Sequence, residues 1–278
     1  MALTNNEKND ILDWLTQTIR EAGAIVLKYY AQTAEVEWKT PTEPVTAADK
    51  ASNEFLVEKL RKEFPDYGLL AEESRDDHSR LEKELIWMVD PMDGTKEFIS
   101  RNGEFSVMIG LVEQGRPVLG AVYQPTEDRL YLGAKGVKAE LWQATEAREL
   151  RVSERDEVAS FRLVVSRSHL EPVVDDIRER LGIGEIRQSG SVGLKCGLIA
   201  RDECDLYIHP SHHTKLWDSC APQAILEAAG GTMTDIYGKP LEYTGESVQN
   251  LSGMLASNGH QHEQIVETIE EVMRMQTV

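Results

Sequence analysis

Five apolar residues, Leu85-Ile-Trp-Met-Val89, give way without transition to Asp90-Pro-Met-Asp-Gly94, the break a buried strand shows where it leaves a sheet. The chain must therefore build a sheet with acidic residues at a strand end. Upstream, Ile11, Leu15, Ile19, Ala22, Val26 and Tyr29 recur at three- and four-residue steps, which predicts an amphipathic helix over about residues 8–31. After a Pro/Thr-rich loop at Lys39–Pro44, Thr46-Ala-Ala-Asp49 has the capping-box pattern, and Phe55, Leu56, Leu60 and Phe64 carry a second helix to Pro65. Ser106–Val112 and Pro117–Tyr123 read as a hairpin, and Arg129–Gly133 as a further strand.

From Phe161 onward, strands and helices alternate. Strands are expected at Leu163–Ser166, Glu185–Gln188, Cys204–His209, Thr232–Ile236 and Met254–Ser257. The expected helices are Leu170–Leu181, Val192–Ala200, Leu216–Ala229 and His260–Met275. Such alternation points to an α/β unit. The polar stretch Thr145–Val158 is the best boundary, dividing the 278 residues into an N-terminal α+β half (1–150) with the acidic loops and a C-terminal α/β half (151–278). That length fits one large domain or two sharing a core.

Thirty basic against 48 acidic residues leave a net charge of −18, a field that repels nucleic-acid backbones and anionic membrane surfaces. Nucleic acid is therefore not an expected partner. A phosphorylated substrate would need strong local positive charge, which divalent cations supply. Cys196, Cys204 and Cys220 have the spacing of neither a zinc ribbon nor a redox motif and read as thiols of a reducing compartment. No apolar run approaches the ~18 residues of a membrane span, and the first ten residues do not resemble a signal peptide, so a soluble cytoplasmic protein is expected.

Asp90 and Asp93 flank Pro91-Met92, and the proline stiffens the segment so that both carboxylates and the Met92 carbonyl can face one point. Oxygen donors in that arrangement suit Mg²⁺, while the same residues also suit an ordinary solvated turn. Gly94-Thr95 precede a short helix at Lys96–Ser100, whose first N–H groups could cradle a phosphate or simply be capped by Thr95. Glu72-Glu73 follow the apolar Leu69-Leu70-Ala71, and either could join the acids or stay on the surface. Asp218, at the start of the Leu216 helix, and Asp49, in its capping box, have structural explanations of their own. His209, His212 and His213 could suggest zinc, but a crowded loop accounts for them and no fourth ligand is evident.

Taken in order, Pro44-Val-Thr-Ala-Ala-Asp49, Ala71-Glu-Glu-Ser74, Trp87-Met-Val-Asp-Pro-Met-Asp-Gly-Thr95 and Trp217-Asp-Ser-Cys-Ala221 resemble the motif set of the inositol monophosphatase/fructose-bisphosphatase superfamily of Mg²⁺-dependent phosphatases. Asp93-Gly-Thr-Lys-Glu-Phe98 with Arg101-Asn-Gly-Glu-Phe105 resembles its CysQ-type 3′(2′),5′-bisphosphate nucleotidase branch. Ser166–His169, Gly190-Ser191 with Lys195-Cys196, and Gly238–Leu241 point the same way. Departures are Met92 for a usual Leu or Ile, Ala71 for a usual Gly or Ser, and a poor match over Ile208–His213.

The resemblance implies a layered αβαβα sandwich, of mixed α+β and α/β character, that hydrolyses 3′-phosphoadenosine 5′-phosphate to AMP and phosphate with two or three Mg²⁺ per site. It implies that Glu72, Asp90 and the Met92 carbonyl hold one ion, and that Asp90, Asp93 and Asp218 hold a second. Thr95 and Asp49 would orient and deprotonate the attacking water, with Glu72 beside them. Gly94 and Thr95 amides would hold the scissile phosphate, and Gly190, Ser191 and Lys195 would contact the nucleotide. Two other readings stand beside it: a phosphatase of the same superfamily acting on an inositol or other sugar phosphate, and a non-catalytic metal or nucleotide sensor. Oligomeric state, monomer or homodimer, is left open.

Overall fold

The computed structural model describes residues 2–32, 36–40, 43–168 and 171–276. Helix α1 (Asn5–Tyr30) starts at a Thr4–Glu7 capping box and buries Leu12, Leu15, Ile19, Ala22 and Val26 along one face. A hairpin of β1 (Val36–Thr40) and β2 (Glu43–Thr46) leads into α2 (Ala47–Glu63), capped by Thr46. Seven strands then form one sheet in chain order: β3 (Gly68–Ala71), β4 (Leu85–Asp93), β5 (Ser106–Glu113), β6 (Arg116–Gln124), β7 (Arg129–Ala134), β8 (Lys138–Gln143) and β9 (Glu146–Glu149). Only β3 and β4 run parallel, and α3 (Thr95–Ile99) follows β4 directly.

The second sheet has the order β11-β10-β12-β14-β13. It is built from β10 (Arg162–Ser166), β11 (Glu185–Ser189), β12 (Leu206–His209), β13 (Thr232–Thr234) and β14 (Met254–Ser257). Helices α4 (Pro172–Leu181), α5 (Val192–Ala200), α6 (Leu216–Ala228) and α7 (His262–Gln276) intervene or follow.

Side-chain alternation along the strands sorts the apolar residues into separate cores. Trp87, Val89, Val107, Ile109 and Leu111 face α1 and α2. Met88, Met108, Val112 and Val122 face the other way, onto α5, α6 and the near side of the second sheet. Leu163, Val165, Leu206, Ile208 and Leu255 meet α4 and α7 on the far side. The layers are thus helix, sheet, helix, sheet, helix, as the family resemblance implied.

Helix α6 lies unusually close to the first sheet. Gly110, Gly120 and Gly133 pair side by side across β5, β6 and β7. A Cβ at any of them would come within 2.5 Å of Cys220, Ala221 or Ile225. Three glycines therefore fix the depth at which α6, and with it Asp218, is set.

Several local expectations differ from the structure. The β1–β2 hairpin and strands β8 and β9 were not among the expected elements: β9 (Glu-Ala-Arg-Glu) is exposed along its whole length and shows no alternation, whereas β8 does alternate, with Ala139 and Leu141 buried. Part of the polar stretch expected to be a boundary is therefore strand. Residues Asp90–Asp93 are not a loop beyond a strand end: β4 continues through them, its register with β5 slipping between Asp90 and Asp93 in a bulge. Strand β12 starts at Leu206, and β13 ends at Thr234. His169 and Leu170, which close one expected motif and open an expected helix, lie outside the described residues.

Candidate active site

The bulge in β4 places Asp90, Met92 and Asp93 close together on one strand. The backbone N–H of Met92 donates to Asp90 Oδ1 at 2.9 Å, closing a tight turn over Pro91, whose carbonyl accepts from Ser52 Oγ at 2.9 Å. The Met92 side chain is buried in the core against α1 and α2, so only its backbone is placed for other work. Asp93 points toward the second half of the chain. Its Oδ2 accepts from Ser191 Oγ at 2.6 Å, Val192 N at 2.5 Å and Gly193 N at 3.2 Å, the start of α5.

Around Asp90 stand three more carboxylates. Burial first, then the charges of Glu72, Asp93 and Asp218, push its carboxyl well above the usual range. Asp218, in the first turn of α6, accepts from Lys215 N at 2.7 Å, and its carboxyl is raised by burial and by Asp93 and Glu72, opposed by a hydrogen bond shared with Asp90. Glu72, just after β3, is raised to about 7 by burial despite Lys39, whose ammonium lies 2.8 Å away. Two like charges ~4 Å apart repel by roughly 4 kcal/mol near a protein surface. Added positive charge relieves such repulsion.

Two lysines supply part of it. Lys39, on the β1–β2 hairpin, bridges Glu72 and Glu73; sequence reasoning did not single it out, since a lysine in a Pro/Thr-rich stretch carries no signal of its partners. Lys195 is only 3% exposed. Its Nζ sits over the Tyr207 ring, 5.0 Å from the centroid. Burial lowers its pKa, and the charges of Asp93, Glu97 and Asp218 oppose that shift.

A second constellation adjoins the first. Asp49 occupies the third position of α2, where Oδ2 accepts from Thr46 N and Thr46 Oγ1, both at 2.7 Å. Its other oxygen, Oδ1, accepts from Thr95 Oγ1 at 3.1 Å. Asp49 is 1% exposed, and burial, only partly offset by the bonds from Thr46, raises its carboxyl to about 6. Gly94, with φ +99°, turns the chain from β4 into α3 and so carries Thr95 to Asp49.

Gly190 and Ser191 complete the rim. Gly190 N donates to Glu104 Oε2 at 2.8 Å, and a Cβ on Gly190 would lie 2.4 Å from Glu97 Cγ. Ser191, at φ +51°, caps α5 through Leu194 N at 3.2 Å while donating to Asp93.

The donor set fits hard divalent cations: carboxylates from three strand or helix ends, a backbone carbonyl and a hydroxyl, with no thiol or imidazole. Among the described residues, no three acidic, imidazole or thiol side chains are closed into a cage. Asp93 is turned to α5 and Glu72 to Lys39.

The inositol monophosphatase family model matches residues 7–274. The CysQ 3′(2′),5′-bisphosphate nucleotidase of Escherichia coli (strain K12) is 37% identical over 237 residues, 84% of this chain and 94% of that protein. The inositol-1-monophosphatase of Bacillus subtilis (strain 168) is 29% identical over 257 residues, 90% of this chain and 92% of that one. Among solved structures, CysQ from Bacteroides thetaiotaomicron, a bacterial member of the same family, superposes with a TM-score of 0.73 at 31% identity, covering 86% of this chain and 94% of that one.

Proposed function

The chain belongs to the inositol monophosphatase family, and from that premise we propose that it is a Mg²⁺-dependent phosphomonoesterase that hydrolyses the 3′-phosphate of 3′-phosphoadenosine 5′-phosphate. The observation that carries this reading is the convergence of Glu72, Asp93 and Asp218 on the buried Asp90, beside the Asp49–Thr95 pair. Glu72, Asp90 and the Met92 carbonyl would hold one Mg²⁺, and Asp90, Asp93 and Asp218 another. Bound there, the ions would neutralise phosphate charge and polarise the scissile phosphoryl group.

The chain's own groups do the rest. Thr95 accepts a hydrogen bond from the attacking water while donating its hydroxyl proton to Asp49. Asp49 receives the proton as the water attacks, which its carboxyl near pH 6 permits at neutral pH. Gly94 and Thr95 amides face the scissile phosphate, and the Gly190–Ser191 turn and Lys195 favour an anionic nucleotide.

The nucleotide is preferred over an inositol phosphate because the more similar relatives are nucleotidases, although the Bacillus subtilis relative keeps the second substrate in view. Phosphate release from 3′-phosphoadenosine 5′-phosphate and from inositol 1-phosphate, at equal concentration with Mg²⁺ and then with added Li⁺, tests the reading. Faster release from inositol 1-phosphate overturns the substrate; no release from either, with Mg²⁺ still bound, favours the sensor.

A further inference from the structure

Along α5, whose Leu194 and Leu198 line the same cavity, three arginines meet. Arg129 of β7, Arg187 of β11 and Arg201, just past α5, line a cavity of about 90 Å³ together with Gln124, Tyr131 and Gln188. In a chain of net charge −18, guanidinium groups have carboxylates to choose from almost everywhere, so this concentration is unusual.

The carboxylates nearby do not satisfy it. Glu203 accepts from Arg187 Nη1 at 2.7 Å and from Arg201 Nη2 at 2.9 Å. Glu104, also on the wall, is occupied by Arg167, which donates twice at 2.7 Å, and by Gly190 N. Arg129 has the neutral Gln124 Oε1 at 3.0 Å, with Glu127 no closer than 4.0 Å.

Two buried guanidinium nitrogens, Arg129 Nε and Arg201 Nε, have no hydrogen-bond partner among the described residues. The Arg201 side chain is only 7% exposed. Those two atoms are closed off even from water, but holding three guanidinium groups side by side is itself costly, and an oxyanion in the cavity, met by their outward-facing N–H groups, offsets that repulsion. Burial lowers the Arg201 pKa; Tyr131 and the carboxylate of Glu203 oppose that shift, and the charges of Arg129 and Arg187 add to it.

We propose that this pocket binds one small tetrahedral oxyanion, inorganic phosphate or a single phosphate group of a larger molecule, between Arg129, Arg187 and Arg201. Its volume admits such a group but falls well below the ~300–1,000 Å³ of sites that enclose a whole small-molecule ligand. Once bound, the anion would tie β7, β11 and the end of α5 together. Ser189, on the cavity wall, directly precedes Gly190 and Ser191.

The test does not depend on catalysis. The metal-free full-length chain in EDTA is titrated with inorganic phosphate at constant ionic strength by calorimetry. The expected result is saturable binding of one phosphate per chain, weakened at least tenfold in Arg187→Gln, a half-exposed position where loss of fold is not expected, and likewise in Arg201→Gln. Absence of saturable binding in the wild type overturns the site, as does unchanged affinity in Arg187→Gln. A second arm identifies the source. If Arg187→Gln raises KM for a doubly but not a singly phosphorylated nucleotide, the anion is the substrate's own second phosphate; if neither KM moves in phosphate-free buffer, it is free phosphate. Either result supports the pocket.

Discussion

Ser191 donates its hydroxyl to Asp93 across 2.6 Å, joining a bulged strand of the first sheet to the first turn of a helix that belongs to the second. The same serine holds a positive φ of 51°, a conformation costing about 1–3 kcal/mol that a surrounding network must sustain. Asp93, Val192 N and Gly193 N form that network. The acid proposed to hold metal is therefore oriented by the segment proposed to meet the nucleotide.

Asp93→Asn keeps the shape and removes the charge. It is expected to leave the far-UV circular dichroism unchanged and to lower Mg²⁺-dependent turnover by at least ~100-fold. Ser191→Ala, which releases the carboxylate without neutralising it, should cost about 10–100-fold in Mg²⁺ affinity. Near-normal hydrolysis by Asp93→Asn would refute the ligand assignment.

Asp49 sets an acid limb. A carboxyl raised to about 6 is neutral below that pH and ionised above it, so a base at this position loses activity as the pH falls. A plot of log kcat/KM against pH is expected to bend downward near 6 with a slope approaching one, and Asp49→Asn should remove the bend along with most of the rate. A flat profile between pH 5 and pH 8 would assign the proton elsewhere.

Much of this was legible in one sequence, for physical reasons that differ by residue. The period of α1 follows from its buried stripe, and the Thr46–Asp49 box is a local pattern because its hydrogen bonds span three residues. The meeting of Asp49 with Thr95 spans 46 residues; no spacing rule reaches that far, and only the family resemblance paired them. Lys195 reads as well on a helix surface as in a core, and its burial depends on Tyr207 arriving from another strand. Arg129, Arg187 and Arg201 come from three separate elements, each an unremarked basic residue until the fold gathers them. Strand β9 escaped notice because an exposed edge strand bears no hydrophobic alternation.

The glycine row under α6 is a packing constraint with a functional reading. Gly120→Ala places a Cβ within 2.5 Å of the Ala221 carbonyl oxygen, a backbone atom that can move only with its helix. Overpacking of this kind costs about 1–3 kcal/mol, readable as a lower urea midpoint at unchanged slope. Because α6 carries Asp218 in its first turn, Mg²⁺ affinity should fall as well. Destabilisation with unaltered metal affinity would separate the helix depth from the site.

Asp205 anchors the second sheet away from any chemistry. Its side chain is fully buried. It accepts from Arg162 N at 2.7 Å, Arg162 Nε at 2.8 Å and Arg162 Nη2 at 2.9 Å, and also from Ser153 Oγ. Burial alone would raise its pKa, but the bonds from Arg162 and Ser153 outweigh burial and hold the carboxyl below its usual value. A depressed carboxyl contributes stability that is fully present above its unfolded-state pKa of about 3.9 and is lost as the pH falls through the folded value. Asp205→Asn leaves Arg162 with only the more exposed Asp202, 2.6 Å from its Nη2, as charged partner, and should cost about 1–3 kcal/mol in urea unfolding at pH 7. The gap between variant and wild type should narrow as the pH drops below about 4, because the wild type is then losing the same charge. Equal stability at pH 7, or a gap that widens in acid, would show that the network does not act as an ion pair.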